Sequence, residues 1–307
     1  MNKAKRDNYT QIMTLNGIHT LSGYLPLQIN PEKVIENESK IKKCNYQVAR
    51  NRTYLWLNPN KKGLNEHLIS SYSGLLSVVD GIFQELDSDK AEYSITRADF
   101  CFNSIDVGAF EDYKKLHRLL LSCLAKAYKY KNCYHTVNLW EDATLSIAMN
   151  KDDAEAENYN TSKQSWGADE SSNRLELRSK KCNCTIYELS EVIEIKWSKQ
   201  LDKAIEYFED VQKEYNWHLE MLYKADLEKD SRDRNYLNLD AFLLQYKDCI
   251  FTRKQLIDLL NRFEEVKNPV KKANRFKEKH RIEYFSKADL NVVVRCLQEK
   301  MNDFFRN

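Results

Sequence analysis

The sequence predicts an α+β fold: a largely antiparallel sheet with flanking helices, followed by an all-helical C-terminal region. Several central segments alternate polar and apolar residues with a period of two, which is typical of strands. The last third of the chain instead places its apolar residues at helical spacing. Only 7 Gly and 4 Pro occur in 307 residues, which favours long regular elements over a loop-rich sandwich.

Bulk composition is that of a folded protein without membrane segments. The chain is 42% hydrophobic and 31% charged, and no apolar run approaches the eighteen residues of a membrane-spanning helix. The basic N-terminal residues are not followed by an apolar stretch, so we expect no signal peptide. The 8 cysteines are scattered, which favours a reduced, cytoplasmic location and no membrane partner.

The first part of the chain is expected to contain short strands or helices, followed by an amphipathic helix. Residues 1–60 have short apolar stretches separated by Asn, Pro and Lys. Between Ile69 and Leu86 the apolar residues recur at three- and four-residue steps, which indicates a helix with one buried face. The same spacing predicts a helix over Phe110–Tyr130.

Residues 93–103 carry the alternation on which the rest of the interpretation depends. One set of alternate positions is an alanine and two phenylalanines, which predicts the apolar face of a strand. The other set includes Arg97 and Asp99, so that a base and an acid stand side by side on one surface of the sheet.

A meander of strands is predicted after the Phe110–Tyr130 helix, because strand-like segments follow one another with short polar separators. The segments are Tyr134–Trp140, Thr144–Asn150, Ala154–Asn160 and Asn173–Lys180. Beyond Glu188 the pattern is helical, which predicts one domain over residues 1–190 and a second over residues 191–307. In the second domain, Thr252 is expected to cap a helix that includes Leu256–Phe263, and Ala288–Phe304 to form the last helix.

The C-terminal region is locally basic although the whole chain has a net charge of only +2. Residues 267–281 contain seven Lys or Arg against one acid, and such a patch is typical of surfaces that contact DNA. The candidate DNA-binding residues are Lys271, Lys272, Arg275 and Lys277. The alternative is a solvated helical face that contacts nothing.

The meander also has an unusual density of carboxylates on strands. Asp99, Glu157 and Glu176 fall on positions that would share one polar face if their strands are neighbours, and such oxygen ligands suit Mg²⁺ or Mn²⁺. Tyr159 would stand on the same face, where its hydroxyl could attack a phosphodiester. Arg97 and Arg178 would hold the phosphate through paired N–H groups.

One alternative stands beside this catalytic interpretation. Alternating charges on a sheet surface commonly form cross-strand ion pairs with no catalytic role. The six histidines are isolated in the sequence and show no metal-ligand spacing, and neither a P-loop nor a dinucleotide-binding glycine motif is present.

The order of these motifs resembles the core of rolling-circle replication initiators, a family that includes the plasmid Rep_trans-type and filamentous-phage-type initiators and is akin to relaxases. The resemblance covers about residues 93–180 and is carried by Arg97 and Asp99, by Tyr159-Asn160, and by the Arg-Leu-Glu-Leu-Arg segment from Arg174 to Arg178. It implies a metal-dependent tyrosine endonuclease that nicks one DNA strand, with Asp99 and Glu176 as acidic site residues and Tyr159 as nucleophile.

The same resemblance implies origin duplex and single-stranded DNA as partners, with a host helicase and a second copy of the chain as further partners. The sequence departs from the family pattern in two places. Thr161 stands where a lysine is expected, and residues 145–147 lack a tyrosine found in plasmid-type members. If that missing tyrosine is the nucleophile of the family, either Tyr187 would take its place or the chain is a non-catalytic DNA-binding protein that keeps the scaffold.

Overall fold

The computed structural model describes residues 3–13, 15–60, 68–104, 109–127, 133–137, 144–148, 154–160, 173–229, 239–245, 250, 252–280 and 282–307. The strands are β1 (Leu15–Leu25), β2 (Ile41–Gln47), β3 (Arg52–Leu57), β4 (Ser94–Ser104), β5 (Cys133–Val137), β6 (Thr144–Ala148), β7 (Ala154–Asn160) and β8 (Asn173–Cys184). The helices are α1 (Lys3–Ile12), α2 (Pro31–Glu36), α3 (Tyr72–Glu85), α4 (Ala109–Ala127), α5 (Leu189–Glu206), α6 (Phe208–Lys229), α7 (Leu239–Gln245), α8 (Arg253–Leu260), α9 (Pro269–His280) and α10 (Lys287–Arg306).

In the part of the chain that the structure describes, eight strands form one sheet in the order β2-β3-β1-β4-β8-β7-β6-β5. Each neighbouring pair is antiparallel. The predicted α+β class with a largely antiparallel sheet is therefore confirmed. The long central strands β4 and β8 pair with each other, so the segments with the clearest alternation form the middle of the sheet.

The predicted meander strands differ from the observed ones mainly at their ends. β7 has the predicted bounds, whereas residues 138–140 and 149–150 of two predicted strands lie outside the described residues. β8 continues four residues past the predicted end at Lys180, as far as Cys184, which pairs with Ile95. Near this end Lys181 and Asn183 adopt left-handed backbone conformations, with φ of 54° and 50°, so the regular alternation of side chains is lost there.

One face of the sheet is covered by helices. The ring of Phe100 on β4 lies 5.2 Å from that of Phe304 on α10, between centroids. Trp197 on α5 is fully buried, and its indole N–H donates to Ser179 Oγ on β8 at 2.9 Å. Helix α4 packs on β6, β7 and β8. The opposite face of the central strands is free to carry polar side chains.

Hydrophobic packing does not follow the sequence division at residue 190. One buried cluster joins the sheet to α1, α3, α4, α5 and α10, and includes Trp197 and Phe304. A second cluster joins Leu219 of α6 to α7, α8, α9 and Ile282. The 1–190 and 191–307 domains stay a prediction, while α5 and α10 pack with the sheet.

The predicted capping of helix α8 by Thr252 is confirmed at atomic detail. Thr252 Oγ1 accepts from the backbone N–H of Gln255 at 3.1 Å, and Gln255 Oε1 accepts from the backbone N–H of Thr252 at 2.7 Å. This capping box satisfies two otherwise unpaired donors at the start of α8. No helix in the described ranges is long and apolar enough to span a membrane.

Candidate active site

The polar face of the sheet is built from alternate residues of β7, β8 and β4, which the strand pairing aligns in three rows. The first row is Glu155, Arg178 and Asp99; the second is Glu157, Glu176 and Cys101; the third is Tyr159, Arg174 and Asn103. The structure therefore brings Asp99, Glu157, Tyr159 and Glu176 to one face, as the alternation predicted. We call these three rows the polar face below.

Arg178 lies at the centre of the carboxylates. Its Nε and Nη2 donate to Glu176 Oε2 at 3.0 and 2.7 Å, and it also forms ion pairs with Glu155 and Glu157. Its Nε is 3.8 Å from Asp99 Oδ2. One guanidinium therefore bridges carboxylates from three strands.

The carboxylates respond differently to this arrangement. Burial works to raise the pKa of Glu176, but the charges of Arg178 and its neighbours prevail and hold that pKa at about 2. Burial raises the pKa of Glu157 to about 7 against the opposing charge of Arg178. Burial likewise raises the pKa of Asp99, which the Arg97 guanidinium only partly offsets. Glu176 is thus the carboxylate most firmly held in its ionised form.

Arg97 and Asp99, the pair that defined the predicted strand, form a two-bond ion pair. Arg97 Nε and Nη2 donate to the two carboxylate oxygens of Asp99 at 2.8 and 2.7 Å. The guanidinium also lies 5.4 Å from the ring centroid of Trp56 on β3. Arg97 is therefore engaged on both sides, by an ion pair within β4 and by an aromatic ring of β3.

One oxygen of Glu176 is a point of convergence for three other side chains. Tyr159 Oη donates to Glu176 Oε1 at 2.7 Å, and Cys101 Sγ donates to the same oxygen at 3.3 Å. His19 Nδ1 is 3.9 Å from it. Each of these groups comes from a different strand, so the cluster exists only in the folded sheet.

His19 reaches this cluster because β1 contains a bulge. Ile18 pairs with Phe100 and Thr20 pairs with Asp99, which leaves His19 as an extra residue between them. A bulge of this kind turns two successive side chains to the same face of the sheet, and His19 Nδ1 lies 3.0 Å from Thr20 Oγ1. Sequence reasoning missed His19, and the bulge removed the alternation that would have indicated its face.

Cys101 was also not among the predicted site residues, although it shares the parity of Arg97 and Asp99. That parity was the signal that could have identified it. The thiol is fully buried, and burial raises its pKa well above the ordinary value. It therefore acts as a hydrogen-bond donor to Glu176 unless a cation displaces its proton.

Tyr159 is held in a nearly buried position with its hydroxyl towards Glu176. Arg174 Nη1 is 3.5 Å from the hydroxyl, and its guanidinium lies 5.9 Å from the ring centroid. Arg174 is in turn fixed by donating from Nε to Asn103 Oδ1 at 2.9 Å. Burial raises the pKa of Tyr159 well above its ordinary value, so the phenol is protonated in this arrangement.

Tyr187, the alternative nucleophile, lies apart from these rows. It follows the end of β8, is 55% exposed, and its ring centroid is 5.8 Å from Lys90 Nζ. Of the two tyrosines, Tyr159 is the one that contacts a carboxylate of the polar face.

Among the described residues, His19, Cys101 and Glu176 are a group able to hold a metal ion, since their ligand atoms lie within 4.8 Å of one another. The group supplies one imidazole nitrogen, one sulfur and one carboxylate oxygen. The ligands predicted from sequence were Asp99, Glu157 and Glu176, and the Arg178 guanidinium now lies against all three. Their role as ligands for Mg²⁺ or Mn²⁺ stays a prediction.

The predicted DNA-binding residues are divided between two surfaces of α9. Lys271, Lys272 and Arg275 line one groove. Lys277 lies outside it, with its Nζ 4.9 Å from the ring centroid of Tyr284. A helical repeat of 3.6 residues explains the division, because Lys277 is two positions from Arg275 and so points to another side.

Comparisons with known proteins give one structural likeness. No family model matches the sequence, and no curated protein matches it. Among solved structures, a rolling-circle replication initiator protein from Geobacillus stearothermophilus is similar over 55% of this chain and 75% of that chain, with 14% sequence identity and a TM-score of 0.32. A likeness of this extent assigns neither a family nor an activity to the chain.

Proposed function

We propose that this chain is a DNA-nicking replication initiator in which Tyr159 attacks a phosphodiester. The observation that carries the proposal is the convergence of Tyr159, His19 and Cys101 on Glu176 Oε1, next to the arginines of the polar face. A nucleophile, a fixed carboxylate and guanidinium groups suited to phosphate are the parts that transfer of a phosphoryl group requires.

The proposed step exchanges one ester for another. Tyr159 Oη forms a bond to phosphorus as the bond from phosphorus to the 3′ oxygen breaks. The phenolic proton leaves along the hydrogen bond to Glu176, and the departing 3′ oxygen takes up a proton to become a hydroxyl. The products are a 5′-phosphotyrosyl link and a free 3′-OH able to prime synthesis.

Glu176 and Arg174 position the nucleophile for this step. The 2.7 Å hydrogen bond fixes the direction of the hydroxyl, and Arg174 lies close enough to stabilise negative charge that develops on the phenolic oxygen. Arg97 and Arg178 have side chains that are 27% and 17% exposed, so an incoming phosphate would meet them at the surface of the polar face.

A divalent metal is part of the proposal. Glu176, His19 and Cys101 would hold the ion, whose charge polarises a phosphodiester and lowers the pKa of a nearby hydroxyl. Of the two ions expected, Mn²⁺ fits a nitrogen- and sulfur-containing set better than Mg²⁺, which requires oxygen ligands. Metal binding is measurable without activity: His19→Gln should weaken Mn²⁺ binding in calorimetry, whereas the exposed His218→Gln should not.

The test is capture of the covalent intermediate. The full chain is incubated with Mn²⁺ and a pool of labelled single strands of random sequence, and adducts that survive denaturation are isolated. We expect an adduct with the native chain and with Tyr187→Phe, but none with Tyr159→Phe, which keeps the ring and removes the hydroxyl. An undiminished adduct in Tyr159→Phe would overturn the assignment, and so would no adduct in any sample.

A second candidate is a DNA-binding protein that keeps the scaffold without nicking. The observation that favours it is the pairing of Arg178 with four carboxylates, which matches the purely structural ion pairs expected of a sheet surface. This candidate predicts salt-sensitive binding of DNA with no covalent product under any metal.

A further inference from the structure

A groove of about 570 Å³ lies along α9, away from the polar face. Helix α9 and the segment before it supply most of the lining, and Asp240 of α7 contributes from the other side. The basic side chains that line it are Lys267, Lys271, Lys272, Arg275, Lys279 and His280, and the acidic ones are Asp240 and Glu265. The groove is concave and carries an excess of positive charge, which is the form of a surface that concentrates anions.

Among the residues that the structure describes, most of these cations form no ion pair with a carboxylate. Lys272 is the exception, since its Nζ is 3.2 Å from Asp240 Oδ1. Within the residues that the structure describes, neither Lys271 nor Arg275 is joined to a carboxylate, and both side chains are exposed. The polar face differs in this respect, because there each arginine contacts a carboxylate.

The unpaired cations form a row. Lys271, Arg275 and Lys279 are four positions apart on one helix, so they lie on one side and about 6 Å apart along its axis. Lys267 extends the row beyond the start of the helix. A line of positive charges at regular intervals suits a ligand whose negative charges also repeat along its length.

We infer that this groove binds the phosphate backbone of DNA without reading its sequence. Three of the four cations in the row are lysines, which act as point charges on phosphate and not as two-bond readers of base edges. A protein partner would require exposed apolar side chains at the centre of the surface, whereas Phe276, the aromatic residue of the lining, is only 5% exposed. The identity of the ligand rests on the proposed function; the site rests on the groove itself.

The experiment compares two double variants of the full chain. Lys271→Gln with Arg275→Gln removes two charges from the row, and Lys42→Gln with Lys43→Gln removes two exposed charges on β2, outside the groove. Binding to a duplex of arbitrary sequence is measured by fluorescence anisotropy over a range of salt concentrations. We expect Lys271→Gln with Arg275→Gln to bind on the order of tenfold more weakly at low salt and to lose about 1.8 from the slope of log affinity against log salt. The β2 control, Lys42→Gln with Lys43→Gln, should keep the native slope.

The outcomes separate this inference from the proposed function. An equal effect of the β2 control, or a native slope in Lys271→Gln with Arg275→Gln, would overturn the groove as the binding site. So would binding of a polyglutamate peptide as tightly as DNA, since that identifies an acidic protein as the ligand. If no covalent adduct forms but the slope changes as expected, the nicking proposal would be overturned and the groove would still be the DNA-binding site. Circular dichroism confirms that each variant folds.

Discussion

The polar face of the sheet and the groove on α9 use the same kinds of side chain in opposite ways. On the polar face, arginines from β4 and β8 contact carboxylates at hydrogen-bonding distance and are largely buried. In the groove, exposed lysines and Arg275 form no ion pair with a carboxylate among the described residues. The exception is Lys272, which pairs with Asp240. Charges of the first kind fix geometry, because separating them leaves a buried ion unpaired. Charges of the second kind act over a distance and are screened by salt.

Removing the central guanidinium should give the largest effect. Arg178→Met leaves Glu155, Glu157 and Glu176 close together without their shared cation, and we expect it to lower the free energy of unfolding by about 3–5 kcal/mol. Arg275→Met, in the groove, should change it by no more than about 0.5 kcal/mol. Chemical denaturation measures both. Equal losses in the two variants would remove the distinction between the regions.

A buried histidine on the helix-covered side of the sheet should also affect the free energy of unfolding, and there the cause is burial and not an ion pair. His117 on α4 is fully buried, and burial lowers its pKa to about 4, even though hydrogen bonds from neighbouring asparagines oppose the shift. The unfolded chain takes up a proton near pH 6.5 and the folded chain does not until about pH 4. The free energy of unfolding should therefore fall as the pH is lowered across that interval, by about 3 kcal/mol from this group.

The control for this prediction is His117→Gln, which can still hydrogen-bond to Tyr9 and Asn173, the present partners of the imidazole. Carboxylates of the fold contribute their own pH dependence in both proteins, so the difference between the two curves isolates the histidine. Parallel curves between pH 4 and 6.5 would show that His117 is protonated equally in the folded and unfolded chains.

The smallest expected effect is that of salt on the ion pairs of the polar face. Ion pairs that are buried are screened little, so raising the salt concentration from about 50 to 200 mM should change the free energy of unfolding by less than about 0.5 kcal/mol. DNA binding by the groove should weaken severalfold for each phosphate contact over the same range. If added salt lowered the free energy of unfolding as steeply as it weakens DNA binding, the ion pairs of the polar face would be screened by salt, contrary to this prediction.

Local patterns were sufficient to predict the face on which the candidate site lies. Alternation along β4, β7 and β8 depends only on the strand itself, and Asp99, Glu157, Tyr159 and Glu176 share one face as expected. The capping of α8 by Thr252 was predictable for the same reason, since both partners are three residues apart.

The partners of those residues could not be predicted, because they depend on pairing between distant segments. Nothing in the sequence shows that Arg178 contacts carboxylates from three strands. His19 is about 80 residues before Asp99, and only the sheet order brings β1 beside β4. The packing of α10 on the sheet was missed in the same way, since an apolar helical stripe does not specify its partner.

The bulge in β1 has a consequence for how this strand tolerates change. Because His19 is the extra residue, the segments on either side of it keep their own pairing with β4. Phe100 and Asp99 are consecutive on β4, so deleting His19 would leave Ile18 opposite Phe100 and Thr20 opposite Asp99, and the two strands would pair as a regular ladder. Gly17 also fixes the segment before the bulge in its present register, because any other residue in that place would have its Cβ 2.2 Å from the carbonyl oxygen of Ile69. The imidazole is thus carried by an insertion that β1 could lose without changing its pairing, and its loss would leave Glu176 without the imidazole.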